Sequence, residues 1–230
     1  MVENNEPNTP STFPSNNGGG DYKSVDERLG KIKLALDGAI SDDAQIELAK
    51  FGYAKAEINK GMDLYKDTYT KHEKQKKEYG EQFDATDTLN KARKTANATY
   101  MKYMRIARVV FRNSRNEAES LMLNGDRKNS FTGWVEQCRV FYNNALASQS
   151  ILDALAKKGL TKTMLEAGLA SIADVEKANA AQSKEASEAV KATADRDAAL
   201  DLLEHWFADF RDISFAVLDE KPELIRKMGL

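Results

Sequence analysis

Apolar positions along this chain recur on a seven-residue beat. One stretch reads Leu165, Ile172, Asn179, Ala186, Thr193, Leu200, Phe207 and Ser214, with a companion set Gly168, Val175, Gln182, Ala189, Arg196, Leu203, Phe210 and Val217. An earlier stretch carries the beat through Ile58, Tyr65, His72, Tyr79, Thr86, Arg93, Tyr100 and Ala107, with Val110 closing its companion set. Such spacing predicts a helix with one inward face. Strand-like alternation is absent, and no proline falls between Pro14 and Pro222, so the pattern is all-α. The beat is apolar at both ends and polar in the middle. Two arrangements fit: an unbroken helix, or a bend near Gly80 and Ser187 that folds each stretch into a hairpin. Because the phase survives the polar middle, long helices pairing as a coiled coil are favoured.

The two stretches are copies. Sliding the chain by 107 residues sets Leu48-Ala49-Lys50 and Gly52 on Leu155-Ala156-Lys157 and Gly159, and Gly61 on Gly168. The same shift pairs Glu78 with Glu185, Ala85-Thr86 with Ala192-Thr193, Ile106 with Ile213 and Leu123 with Leu230. A gapless register of this kind predicts two tandem helical units related by a pseudo-two-fold axis, in an elongated bundle. Local signals divide each copy. Ser24-Val25-Asp26-Glu27 is a capping box. Gly52 and Gly159 are helix stops, Thr161 caps the second long helix, and Leu160 and Tyr53 stand at staple positions before Leu165 and Ile58. A last short helix opens at Ser114 and closes at Asn124-Gly125; its counterpart opens at Pro222 and closes at Gly229. The expected organisation is a disordered tail over 1–23, one repeat over 24–125 and a second over 126–230, packed as one unit.

Composition narrows the function classes. A formal charge of −2 gives no global pull toward nucleic acid or an anionic membrane. The single cysteine, Cys138, excludes a disulfide framework within the chain and a cysteine-rich zinc site. No run of 18 apolar residues occurs, and the opening residues lack the pattern of a secretion signal, so a cytoplasmic protein is expected. There is no Glu-x-x-His pair of a di-iron bundle and no glycine-rich phosphate loop. Cys138 has no histidine in its sequence neighbourhood and reads as a buried, inert thiol. The aromatics Tyr100, Tyr103, Trp134, Phe141, Tyr142, Phe207 and Phe210 read as core. No catalytic residue, cofactor or metal is expected, and the chain reads as a non-enzyme.

Two constellations carry possible function. The first is the polar layer His72, Gln75, Asn179 and Gln182 on inward positions. It suits either a register-fixing layer or, as the alternative, a small-molecule or metal site, and one histidine without carboxylates on its face is a poor ligand set. The second is charge. From Thr88 to Asn116 there are eight basic residues and no acid, whereas the window shifted by 107 holds nine acids and three bases. Lys91, Lys94, Arg105, Arg108, Arg112 and Arg115 fall on outward positions, and Asp201, Asp212 and Asp219 do likewise in the other copy. Equivalent faces of opposite sign suit docking onto a protein partner or self-association. Nucleic acid is disfavoured by the acidic twin. A membrane-active helical protein is a further alternative, opposed by the polar helix centres.

The stretches Lys77-Glu78-Tyr79-Gly80-Glu81-Gln82, Tyr100 through Ala107, Trp206-Phe207-Ala208-Asp209-Phe210 and the tail Lys221 through Leu230 resemble a family of uncharacterised, internally duplicated all-helical bacterial proteins. The resemblance spans about residues 25–230. It implies a bacterial, repeat-built helical protein and brings no assigned activity.

Overall fold

The computed structural model describes residues 24–230, and the expected tail over 1–23 lies outside the described residues. Within them the chain is helical, in the order α1 (Val25–Ala39), α2 (Asp42–Leu48), α3 (Lys55–Val110), α4 (Arg115–Ser120), α5 (Phe131–Ala147), α6 (Gln149–Ala156), α7 (Lys162–Val217) and α8 (Pro222–Lys227). A short 3₁₀ turn, Ala49–Phe51, follows α2. The ends obey local chemistry. Ser24 Oγ accepts from the Glu27 amide, and Glu27 Oε2 accepts from the Ser24 amide, completing the capping box. Gly52 and Gly159 take φ of 94° and 80°, a left-handed stop that an L side chain resists. Thr161 Oγ1 accepts from the Met164 amide at 3.4 Å.

The long helices are unbroken: α3 and α7 each run 56 residues, straight past Gly80 and Ser187, so neither stretch folds into a hairpin. Every inward residue named from the beat is buried or half-buried, from Ile58 and His72 to Leu203 and Phe210. The bounds of α7 and α8 lie 107 residues after those of α3 and α4. The short helix α4 stops at Ser120, earlier than its closing glycine suggests. Met122 turns into the left-handed region (φ 49°), the Leu123 amide donates to the Ala118 carbonyl at 2.8 Å, and Leu121 and Leu123 are thereby buried.

Two compact units form, and their boundaries fall inside α3 and α7. One comprises residues 67–201. Its core holds Tyr100, Met104, Phe141, Tyr142, Leu155, Leu165, Ile172 and Val175, with Tyr100 edge-on to Phe141 at 5.5 Å. Inside this unit α3 and α7 pack closely enough that buried Thr68 donates to the Ala199 carbonyl at 3.1 Å. The other unit comprises 24–66 with 202–230. It buries Leu29, Ile32, Leu36, Leu48 and Ile58 together with Leu203, Phe210, Leu218 and Met228. Ion pairs from Arg28 to Glu204 and from Lys221 to Glu47 tie its two segments. Tyr53 packs its ring edge-on against Trp206 and Phe210, at 5.9 and 5.3 Å. Burying each large apolar side chain of this kind contributes about 1.5–3 kcal/mol. Each unit thus joins the opening helices of one expected repeat to the closing segment of the other.

Candidate functional site

Charge pairing changes character along α3. In its first half Lys60, Lys66, Lys71, Lys76 and Lys77 pair with Glu57, Asp63, Asp67, Glu73 and Glu81, three or four residues away. This is the ordinary neutralisation of a solvated helix face. Beyond Thr88 it ceases. Lys91, Lys94, Arg105, Arg108 and Arg112 are exposed, and among the described residues no carboxylate pairs with them. Arg115, at the start of α4, pairs with Glu119 at 2.9 Å. Arg108 is oriented by a 2.8 Å hydrogen bond from its Nε to the Leu123 carbonyl. Arg108, Arg112 and Arg115 line an open groove of about 470 Å³ with Asn113 and Asn124. The partial negative charge at the C-terminal end of α3 favours cations there, but leaves them free to meet an anion.

The acidic positions are distributed differently. Asp201, Asp212 and Asp219 are all exposed. Asp212 is held by the neighbouring Arg211 guanidinium at 2.9 Å, which removes part of its charge from the surface. Asp201 belongs to the unit of 67–201, and Asp212 and Asp219 to the other. The polar layer lies within the 67–201 unit: His72 is buried, and Gln75, Asn179 and Gln182 are half-buried. Two further polar residues on the same beat, Thr68 and Gln82, are buried more deeply than the three amides.

The beat does not reveal one cluster. Glu78, Glu185 and Glu188 each bring an oxygen within 4.8 Å of the others, and Glu78 is buried with Oε2 lacking a hydrogen-bond partner among the described residues. Glu78 lies off the inward set, so heptad counting passes it over, yet its identity with Glu185 at the 107-residue shift marks both. Three carboxylate oxygens could hold a hard cation such as magnesium or calcium. Lys184 already pairs with Glu185 and Glu188, at 3.2 and 3.3 Å, and supplies positive charge from within the chain.

Cys138 is fully buried, and burial pushes its thiol up to about 12, so the reactive thiolate is suppressed at neutral pH. Tyr142 is raised by burial too, and its hydroxyl has no hydrogen-bond partner among the described residues. Comparison with family models, with curated proteins and with solved structures finds no match to this chain.

Proposed function

We propose that this chain is a non-enzymatic helical interaction protein of the bacterial cytoplasm, built from two copies of one helical unit, and that the basic face of α3 docks an acidic protein surface. Copy and kinship rest on the residues shared at the 107-residue shift and on element bounds that recur at the same shift. One observation carries the docking reading: five of the seven lysines in the first half of α3 have carboxylate partners, whereas Lys91, Lys94, Arg105, Arg108 and Arg112 have none among the described residues. Exposed like charges without a counter-charge among the described residues repel one another weakly through solvent, and an acidic partner relieves that repulsion. Among the described residues no helix is long and apolar enough to cross a membrane.

A second copy of the chain offers acidic positions at Asp201, Asp212 and Asp219, so self-association is the first form to test. Sedimentation velocity at low and high salt, on the wild type and on Arg105→Glu/Arg112→Glu, provides the test. The wild type should associate, with association fading as salt rises over a Debye length of about 8 Å at physiological strength. The variant should stay folded and lose it, because both side chains are exposed. A folded variant that associates like the wild type would show this face to be ordinary solvated surface. A wild type that is monomeric at every salt would rule out self-docking and require a different acidic protein.

A further inference from the structure

A second concentration of positive charge lines a concavity of the 67–201 unit and shares Lys94 with the docking face. Asn90, Arg93, Lys94 and Asn97 stand at i, i+3, i+4 and i+7 on α3 and share one helix face. Opposite them the segment between α4 and α5 brings Arg127 and Lys128, and together they line a pocket of about 460 Å³. None of the four cations pairs with a carboxylate among the described residues. Gathering four positive groups around a hollow without a counter-charge is unfavourable unless an anion enters.

The pocket is held in shape by contacts beneath it. Arg93 places Cζ 5.5 Å from the Trp134 ring centroid and 5.8 Å from that of Phe131. Arg127 lies over Tyr100 at 5.4 Å, donates to the Tyr100 hydroxyl at 3.0 Å, and directs its other terminal nitrogen to Met104 Sδ. Trp134 Nε1 donates to Asn97 Oδ1 at 3.0 Å. Buried Gln137 pins the segment: its Oε1 accepts from the Lys128 amide and its Nε2 donates to the Asp126 carbonyl, both at 3.0 Å. Much of the ordering cost of presenting the guanidinium groups is therefore met before any ligand arrives.

We propose that this pocket binds a small molecule bearing a di- or triphosphate group. Arginine forks match phosphate oxygens in geometry and lysine adds point charge. A volume of about 460 Å³ suits a small molecule better than a single phosphate ion. The twin positions carry no such chemistry. At the 107-residue shift Asp197, Leu200, Asp201 and Glu204 replace Asn90, Arg93, Lys94 and Asn97, and Glu204 is engaged by Arg28. The pocket is thus a property of one copy alone. It shares Lys94 with the docking face, but Arg93, Arg127 and Lys128 lie outside the residues assigned to that face and outside its test.

Isothermal titration of the full chain with inorganic tripolyphosphate, with sodium sulfate at matched ionic strength as control, tests the assignment. The wild type should bind tripolyphosphate saturably below ~1 mM and show a raised melting temperature. Exposed Lys128→Glu should weaken binding about tenfold or more, the loss expected for a reversed charge facing phosphate. Arg127→Gln should weaken it too, and circular dichroism shows whether that variant remains folded. Arg105→Glu/Arg112→Glu should bind tripolyphosphate within about twofold of wild type whether or not it still associates, so the two readings fail separately. Absence of saturable heat, equal binding of sulfate, or equal losses in Lys128→Glu and Arg105→Glu/Arg112→Glu would overturn the site. An oligonucleotide that binds more tightly than tripolyphosphate would overturn it in favour of an extended phosphate backbone.

Discussion

The indole of Trp206 lies directly on the backbone of Gly61: a Cβ at that glycine would stand 2.2 Å from the ring carbon Cη2. The ring is held by stacking on Phe210, at 5.3 Å and 10° between planes, and by a 3.1 Å hydrogen bond from Nε1 to Glu57 Oε1. At Gly168, 107 residues further along the chain, the close neighbour is Tyr142, whose Cε1 would be 2.4 Å from a Cβ. The bulk has changed sides. Tyr142 corresponds to Ala35 and Trp206 to Thr99, so each unit fills the space over its glycine from a different helix.

Gly61→Ala should therefore destabilise the protein by about 1–3 kcal/mol through overpacking against a ring that cannot swing away. Trp206→Phe lacks the outer ring atoms that clash, and combined with Gly61→Ala it should recover part of the loss. Urea denaturation of the two single variants and the double variant measures the coupling. Strictly additive effects would refute direct contact.

Tyr142→Phe removes a buried hydroxyl that has no hydrogen-bond partner among the described residues, while the ring contacts to Tyr100, Tyr103 and Phe141 remain. Its stability should be unchanged or raised by up to about 1 kcal/mol, since an unsatisfied buried polar group is lost. A clear loss in thermal denaturation would reveal a partner for that hydroxyl.

Glu47 accepts from Lys50 at 2.8 Å and from Lys221 at 2.9 Å, and these ammonium groups, Lys50 foremost, lower its carboxyl to about 2, against an ordinary 4.5. A carboxyl lowered in the folded state contributes stability that is full above its unfolded value and fades as pH falls through the folded one. Lys221→Met should thus lower the melting temperature at pH 6, and the gap from wild type should shrink as pH drops from about 4.5 toward 2. A gap independent of pH over that window would mean the lysine acts through packing alone.

Cys138, fully buried and raised to about 12, should resist Ellman's reagent in the folded protein and react at once in denaturant. Rapid reaction of the native protein would show that α5 opens readily.

Much of this molecule is legible in the sequence because much of it is local. The capping box at Ser24, the stops at Gly52 and Gly159 and the cap at Thr161 depend on neighbours within a few residues, and each stands where its chemistry places it. The seven-residue beat reports which side of α3 and α7 leaves water, so Ile58, His72, Leu203 and Phe210 are read as inward without knowing what they face. A periodic pattern cannot say what packs there. That Trp206 covers Gly61 but Tyr142 covers Gly168, and that Glu78 meets Glu185 and Glu188, are contacts between residues distant in sequence. Likewise, only folding brings Arg127 and Lys128 to the Arg93 face of α3, and only it reveals which lysines find carboxylates. The sequence by itself determined the helices, their inward faces and the opposed charge of two windows 107 residues apart, because backbone capping and amphipathic burial act over a few turns. Tertiary structure alone decided how helix segments combine into two units and where unpaired charge gathers in a hollow, because those outcomes depend on side-chain volume and charge meeting across the fold.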